Sequence, residues 1–442
     1  MIPDVDVYQA RRAAYLARSG DGPTLLVTRP TARRNGDVDY EYRPDSDFFY
    51  LTGFPESDAA MLLIPGEPGA FLLFVQPREP ERELWDGPRI GLDRARTEYG
   101  ADASHSIDDL FVIAPPLLQN AERLYTTLGT NPAFDRRVLE WMSAQSEERR
   151  KHRLRLSSLV DAAALLAEER LRKDGAGIAR LRTAASITVD AHQSAMRAAR
   201  PGLHEYEVAA TLEYHFARLG ARPGYPTIVG SGPNATTLHH IENRRRIEDG
   251  DLVLVDAGAE WDCFTADVTR TFPANGSFSR PQREIYELVL DAHSAAIEAV
   301  VPGALFDAPD EAARRLLVAG MIRLGLLSGA PEEALATRSY RRYFMHKTSH
   351  WLGLDVHDVG AYRIDGLWRR LEPGMVLTIE PGLYVRGDDE SAPECYRGIG
   401  VRIEDDICVT SEGCENLTRE LPTSSSEIER LMRSPEGSRK GP

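Results

Sequence analysis

The stretch LVLVDAGAEWDCFTADVTRTF, residues 252–272, decides the fold of the second half of the chain, because it predicts two apolar strands joined by a short turn. Each strand carries one aspartate, Asp256 in the first and Asp267 in the second. A turn centred on Trp261 and Asp262 would pair Asp256 directly with Asp267. Directly opposed side chains have Cβ atoms about 5 Å apart, a separation at which like charges repel.

Two interpretations of this pair of acids are open. A buried carboxylate without a partner costs several kcal/mol, so a divalent cation between Asp256 and Asp267 would explain their position. In the alternative, one aspartate points to solvent or caps the turn, and no ion is needed. The hairpin by itself does not decide between them.

Composition excludes several classes of partner. The chain has 442 residues, 42% hydrophobic and 27% charged, and its formal net charge is −15, which is typical of a soluble globular protein with room for two domains. The acidic balance argues against nucleic acid and anionic membranes as partners. No apolar run approaches the roughly 20 residues of a membrane span, and the N-terminus lacks an apolar signal core, so we expect a cytoplasmic protein.

The element pattern changes along the chain near residue 174. Residues 1–174 mix short strands, such as GPTLLVTRP and GAFLLFVQP, with helices, and we predict that they form a smaller amino-terminal domain. Residues 175–442 form the larger domain, with longer helices over 178–199, 205–219, 281–300 and 309–324. Ser424 and Glu427 form a capping box that predicts a last short helix, followed by a disordered tail over 434–442.

The two halves of the larger domain also resemble each other in sequence. VDAHQSAMRAARPG at 189–202 matches LDAHSAAIEAVVPG at 290–303 in seven of fourteen positions. Further on, EDGDLVLVDAG from Glu248 corresponds to EPGMVLTIEPG from Glu372, which places Glu380 where Asp256 stands. Each half then adds a strand with a second acid, Asp267 or Glu404. We therefore predict an α/β (α+β) fold whose larger domain has two halves related by a pseudo-two-fold axis.

Four converging carboxylates alone would suit a calcium site, but YFMHKTSHWLGLDVHDVG adds His346, His350 and His357. One imidazole among carboxylates favours Mn²⁺, Co²⁺, Fe²⁺ or Zn²⁺. Four carboxylates and one imidazole are more ligands than one ion needs, whereas two ions that share a hydroxide would use all five. Lys347 stands where H-E-x-x-H requires glutamate, which argues against a zincin helix.

With these blocks in place, the chain resembles the Xaa-Pro aminopeptidase (aminopeptidase P) family, which has the pita-bread metallopeptidase fold. The resemblance covers almost the whole chain. It rests on YEYRPDSDFFYLTGFPE in the amino-terminal domain and on TIVGSGPNATTLHHIEN, HKTSHWLGLDVHDVG, MVLTIEPGLYV and YRGIGVRIEDD in the larger one.

The resemblance implies a role for eleven side chains. It implies that two divalent ions, most commonly Mn²⁺, are held by Asp256, Asp267, His350, Glu380 and Glu404, with Asp267 and Glu404 bridging. Glu380 would also move the proton. His239 and His357 would bind the substrate, and His346, Tyr384 and Arg402 would lie close by and support the site. Trp85 resembles a tryptophan that reaches a neighbouring subunit's active site. Lys347 departs from the family pattern, which often has glycine there, and we expect its side chain to face solvent.

The activity that the resemblance implies is hydrolysis of the Xaa-Pro bond at the N-terminus of peptides by a hydroxide bound to two metal ions. Prolidase, which cuts only Xaa-Pro dipeptides, and a non-enzymatic pita-bread binding protein are the alternatives. Creatinase-like chemistry is disfavoured because that enzyme is metal-free and all five ligands are present here. Peptides with proline in second position are the expected partners, and a homodimer or homotetramer is the expected assembly.

Overall fold

The computed structural model describes residues 4–66, 70–148 and 156–434, and the chain divides into two compact units, 1–170 and 171–442. The predicted disordered tail falls, from residue 435 onward, outside the described residues. Within those residues, no helix combines the length and the apolar character that crossing a bilayer requires.

The elements of the amino-terminal unit are α1 (Val5–Ser19), β1 (Thr24–Val27), β2 (Arg33–Asn35), β3 (Val38–Asp39), α2 (Ser46–Thr52), β4 (Ala60–Ile64), β5 (Ala70–Val75), α3 (Pro80–Asp86), α4 (Gly91–Tyr99), β6 (Ala103–Ser106), α5 (Leu110–Leu117), β7 (Arg123–Thr126), α6 (Pro132–Glu148), β8 (Ser158–Asp161) and α7 (Ala163–Leu171). Six of the strands form one mixed sheet in the order β6-β5-β4-β1-β7-β8. The sequence predicts four of them as strands, β1 in GPTLLVTRP, β4 in AAMLLIPG, β5 in GAFLLFVQP and β7 in RLYTTLG, and both faces of β4 are buried.

The second unit consists of two halves with the same order, a pair of helices followed by an antiparallel hairpin. The first half contains α8 (Gly175–Ala198), α9 (Glu205–Arg218), β9 (Arg222–Pro223), β10 (Ile228–Ser231), β11 (Leu252–Asp256), β12 (Ala259–Trp261), β13 (Phe264–Thr265) and β14 (Thr269–Pro273). The second contains α10 (Arg280–Glu298), α11 (Ala308–Arg323), α12 (Pro331–Thr337), β15 (Arg363–Ile364), β16 (Leu367–Trp368), β17 (Val376–Ile379), β18 (Gly382–Val385), β19 (Ile399–Arg402), β20 (Asp405–Val409), β21 (Cys414–Asn416) and α13 (Ser425–Arg433).

Local signals explain where these helices begin. Ser279 and Gln282 form a capping box at the start of α10, and Asp174 accepts a hydrogen bond from the backbone of Gly177 at the start of α8. The predicted helix α13 is present, with half of the predicted box: Ser424 Oγ accepts from the Glu427 backbone at 3.3 Å, while the Glu427 carboxylate accepts from the Ser424 hydroxyl at 2.8 Å. Helix α10 then buries a stripe at helical spacing against the hairpins: Ile285, Tyr286, Leu288, Val289, Ala292, His293 and Ala296.

Candidate metal centre

Each half of the second unit places two carboxylates at the end of its hairpin. In the first half β11 ends at Asp256, and Asp267 lies two residues before β14. In the second half, Glu380 follows β17 and Glu404 precedes β20. The hairpins are antiparallel in both halves, since β11 pairs with β14 and β17 pairs with β20, so each hairpin brings its two acids to one end.

The predicted register of the first hairpin is wrong. Asp256 pairs with Thr269 rather than with Asp267, and Trp261 pairs with Phe264. The cause is the turn, which is centred one residue later than predicted, on Asp262 and Cys263. Both have positive φ, 49° and 65°, as a two-residue type I′ turn requires. Asp267 is consequently the diagonal neighbour of Asp256 on the same face, so the two acids still meet.

All four carboxylates line a single cavity of about 460 Å³. Nine of the eleven residues singled out from the sequence line it: His239, Asp256, Asp267, His346, His350, His357, Glu380, Arg402 and Glu404. Tyr384 lies just behind this wall, whereas Trp85 belongs to the amino-terminal unit, where it is 89% exposed on α3.

Burial and mutual repulsion act together on these acids. Burial, followed by the charge of Asp267, raises the pKa of Asp256. Burial raises the pKa of Glu380 to about 7, and burial together with the charges of Asp267 and Glu380 raises the pKa of Glu404 well above its ordinary value. The cluster therefore resists carrying its full negative charge unless positive charge lies among the carboxylates.

A single imidazole completes the cluster. His350 Nδ1 is 3.0 Å from the carbonyl oxygen of Trp351, which can only accept, so Nδ1 carries a proton and Nε2 faces the cavity. His350 Nε2 lies 3.3 Å from Asp267 Oδ2 and 3.6 Å from Glu380 Oε1. Although burial disfavours the cation, these two carboxylates raise the pKa of His350 to about 9, so Nε2 also holds a proton, which a bound metal ion would displace.

This donor set fits a hard divalent cation. One ligand atom each from Asp267, His350 and Glu404 lie within 4.8 Å of one another, and all three side chains are mostly buried. Carboxylate oxygens with one neutral imidazole are the ligands that Mn²⁺, Fe²⁺, Co²⁺ and Zn²⁺ accept. The orientation of His350 by a backbone carbonyl is the supporting contact that metal-binding histidines usually have.

Two side chains hold the carboxylates in place. Arg402 donates from Nη2 to Asp256 Oδ2 at 2.5 Å, from Nη1 to the Tyr384 hydroxyl at 3.0 Å and from Nε to Thr269 Oγ1 at 2.9 Å. The Thr269 hydroxyl in turn donates to Glu404 Oε2 at 2.6 Å. One guanidinium thus connects a carboxylate of the first half with one of the second.

His346 and His357 occupy different sides of the cavity. His346 Nε2 lies 2.9 Å from the Tyr384 hydroxyl, and burial, with the charge of Arg402, lowers the pKa of His346 to about 4. His357 packs edge-on against His350, with ring centroids 4.3 Å apart, and burial followed by the charge of His350 lowers the pKa of His357. Both imidazoles are therefore neutral at pH 7 and able to accept or donate a hydrogen bond.

Lys347 behaves as expected. Its side chain is 62% exposed, and its Nζ lies 3.3 Å from Asp307 and 3.1 Å from Asp310. These carboxylates hold the ammonium group at the rim of the cavity. Lys347 still lines the metal cavity, but these two acids offset its charge.

The sequence did not predict the contact that Tyr225 makes with Asp256 and Asp267. Its hydroxyl lies 2.7 Å from Asp256 Oδ1 and 2.6 Å from Asp267 Oδ1. Burial and the neighbouring carboxylates raise the pKa of Tyr225 well above its ordinary value, so the hydroxyl keeps its proton. The sequence RPGYPTIV contains no spacing signal that would tie Tyr225 to acids more than thirty residues away.

Comparison with known proteins matches both units. The profile of metallopeptidase family M24 matches residues 179–411, and the profile of the aminopeptidase P N-terminal domain matches residues 8–125. Curated relatives include the Xaa-Pro aminopeptidase of Haemophilus influenzae, 40% identical over 98% of both chains, and that of Escherichia coli, 41% identical over 96% of this chain and 97% of the relative.

Solved structures resemble the chain over its full length. The Pseudomonas aeruginosa aminopeptidase PepP superposes with a TM-score of 0.95 at 47% identity and covers 98% of this chain and 99% of its own. A zinc-substituted E. coli aminopeptidase P in complex with product superposes with a TM-score of 0.94 at 40% identity, with the same coverage.

Proposed function

Since the chain belongs to metallopeptidase family M24 and carries an aminopeptidase P N-terminal domain, we propose that it is a metal-dependent aminopeptidase that hydrolyses the Xaa-Pro bond at the N-terminus of peptides. The observation that carries the proposal is the convergence of four carboxylates and one oriented imidazole on one cavity. No ligand position is missing, which argues against a non-enzymatic binding protein.

The residues that would hold the ions are Asp256, Asp267, His350, Glu380 and Glu404. Five ligand side chains would suit two divalent ions better than one, and the oxygen-rich set favours Mn²⁺. Bound divalent ions lower the pKa of water and polarise a carbonyl group, which is the chemistry that amide hydrolysis needs.

The remaining steps belong to side chains of this chain. Glu380 would take the proton of the attacking water on a carboxylate oxygen and deliver it to the proline nitrogen, which has no hydrogen of its own. His239 and His357 line the cavity and would donate hydrogen bonds to the oxygen on which negative charge develops. Arg402, Tyr384 and His346 would act by fixing the positions of Asp256 and Glu404.

The decisive assay uses Mn²⁺-loaded protein with an Xaa-Pro-Yaa tripeptide, an Xaa-Pro dipeptide and an Xaa-Ala-Yaa tripeptide. We expect release of the first residue from Xaa-Pro-Yaa, little release from Xaa-Ala-Yaa, and loss of activity on chelation. Asp256→Ala should lower kcat/KM more than about 100-fold, because the change removes a ligand rather than a supporting contact. The matched control Asp291→Asn changes an exposed acid on α10 and should act like wild type.

Two outcomes would change the proposal. Cleavage of Xaa-Pro alone, with Xaa-Pro-Yaa untouched, would make the chain a prolidase. Stoichiometric metal binding without cleavage of any peptide would make it a binding protein.

We further propose that the chain forms a homodimer or homotetramer in which Trp85 packs against a neighbouring subunit. An indole that is 89% exposed, next to Leu84 at 85%, is a surface that association would bury.

A further inference from the structure

A second concave surface opens beside the metal cavity. This basic groove has a volume of about 620 Å³ and lies between α11, α12 and the hairpin β15–β16. It shares five residues with the metal cavity: Asp307, Asp310, His346, Lys347 and Trp368. His346 Nδ1 is 3.6 Å from Glu380 Oε2, so one end of the groove begins at the carboxylate cluster.

Positive charge is in excess in the groove, although the whole chain carries a net charge of −15. Six basic side chains and three acids line it. The acids already have partners at salt-bridge distance: Asp310 with Arg314 and Lys347, Glu311 with Arg315, and Asp307 with Lys347. These pairs cancel one another and leave the other cations of the groove unneutralised.

Three arginines make up that excess: Arg338, Arg341 and Arg363. Among the described residues, no carboxylate forms an ion pair with any of them. The Arg363 guanidinium lies 4.0 Å from the centroid of the Trp368 ring, and Arg341 Nη2 donates to the Met345 carbonyl at 3.5 Å. Arg338 has a φ of 58°, a backbone conformation in which glycine or asparagine is the usual residue after a helix.

The direction of the groove follows from the chemistry of an aminopeptidase. Only one residue lies on the amine side of the bond that is cut. A separate, mostly apolar pocket of about 290 Å³ has room for its side chain, and it meets the metal cavity at His239, Asp256, Asp267 and His357. The groove includes none of those four residues and adjoins the metal cavity at His346 and Lys347 instead. It is therefore placed to receive the residues that follow the proline.

From this arrangement we propose that the basic groove is a binding site for a carboxylate of the peptide substrate, located beyond the proline, and that Arg338, Arg341 and Arg363 bind it. The inference rests on the proposed aminopeptidase activity. The carboxylate is either an acidic side chain or the C-terminus of a short peptide, and planar guanidinium groups suit both.

The test compares kcat/KM for three peptides with the Mn²⁺-loaded protein: Ala-Pro-Gly-Glu-amide, Ala-Pro-Gly-Gln-amide and Ala-Pro-Gly-Gln with a free C-terminus. We expect one or both peptides with a carboxylate to exceed the neutral amide about five-fold, a size that a few exposed charge pairs can supply. The difference should lie mainly in KM and should shrink as NaCl is raised. The first and third peptides tell the side chain and the terminal carboxylate apart.

The combined variant Arg338→Gln, Arg341→Gln and Arg363→Gln should bring these ratios close to one. Arg342→Gln is the matched control, because Arg342 follows Arg341 in the chain but pairs with Asp389 at 2.5 Å and does not line the groove. This control should keep the wild-type ratios. The ratio is internal to each protein, so a general loss of activity cannot imitate the expected change.

Two results would overturn the groove proposal and leave the aminopeptidase assignment intact. In the first, wild type cleaves all three peptides equally well. In the second, the triple variant keeps the wild-type preference. Failure to cleave any Xaa-Pro peptide would instead contradict the proposed function itself.

Discussion

Glu205, outside the metal cavity, accepts hydrogen bonds from several backbone and side-chain donors of one loop. It is fully buried at the start of α9. Its Oε1 accepts from the Ser231 backbone at 2.7 Å and from Asn234 Nδ2 at 3.0 Å, and its Oε2 accepts from the Arg245 backbone at 2.9 Å. Because these donors all lie in the segment from Ser231 to Arg245, one side chain holds the loop that carries His239.

This contact predicts a pH-dependent contribution to stability. Burial alone would raise the pKa of Glu205, but the hydrogen bonds from Ser231, Asn234 and Arg245 outweigh it, so the pKa is lower than in the unfolded chain. The stabilisation is therefore complete above the unfolded pKa of about 4.3 and is lost as the pH falls through the folded value. Glu205→Gln should lower the free energy of unfolding by about 1–3 kcal/mol at pH 7, because an amide NH₂ would face backbone donors.

Urea unfolding of wild type and Glu205→Gln between pH 3 and pH 7 would measure this difference, which we expect to shrink towards acid pH. Glu213→Gln, an exposed acid on the same helix, is the control and should change little at any pH. A Glu205→Gln difference that stayed constant or grew at low pH would contradict the argument.

At the scale of elements, the two strand segments of the hairpin that carries Asp256 and Asp267 approach each other closely at Gly258. A Cβ added at Gly258 would lie 1.6 Å from the carbonyl oxygen of Ala266 and 2.5 Å from its carbonyl carbon. Both neighbours are backbone atoms, so neither can move without opening the hairpin. Gly258 therefore sets how closely the strand segments approach between the two acids.

Gly258→Ala should accordingly separate Asp256 from Asp267. We expect it to lower the free energy of unfolding by about 1–3 kcal/mol, as other overpacked sites do, and to weaken Mn²⁺ binding by at least about ten-fold. Thermal unfolding and metal titration by calorimetry would measure the two effects.

Gly387→Ala is the matched control, because a Cβ there meets nothing within 4 Å. A Gly258→Ala protein with wild-type metal affinity would show that the close approach at Gly258 does not position the ligands.

At the scale of the whole molecule, the two halves of the second unit are joined through the strands that bear the ligands. The Glu404 backbone donates to the Thr269 carbonyl at 3.0 Å, and the Thr271 hydroxyl donates to the Arg402 carbonyl at 3.0 Å. The halves consequently fix each other's carboxylates. Metal binding should depend on both.

The exposed pair Leu84 and Trp85 yields a prediction about assembly. Trp85→Ala should weaken self-association at least about ten-fold if the indole lies in a subunit interface, because interface tryptophans often contribute most of the binding free energy. Sedimentation velocity at micromolar concentrations would measure the association. Tyr214→Ala, which alters another exposed aromatic side chain at 61% exposure, is the control. A wild-type protein that remains monomeric would contradict the proposal.

Much of this protein is determined by short-range sequence signals. The sequence predicts helices α8 to α11, and the pair Ser424 and Glu427 predicts α13, while the repeat between residues 189–202 and 290–303 identifies two related halves. The acids at the ends of the apolar strands, together with His350, indicate the metal-binding chemistry. Apart from the repeat, each of these signals depends on residues that are close in the chain, where backbone geometry alone relates their positions.

Contacts between residues that are distant in the chain follow only from the tertiary structure. The hairpin register depends on which two residues form the turn. Asp262 and Cys263 adopt the positive φ of a type I′ turn, so the turn is centred one residue later than predicted. The contact of Tyr225 with Asp256 and Asp267 and the link from Arg402 to Asp256 join segments that no local pattern relates. Local sequence fixes which side chain points out of an element, but only packing fixes which other side chain it meets.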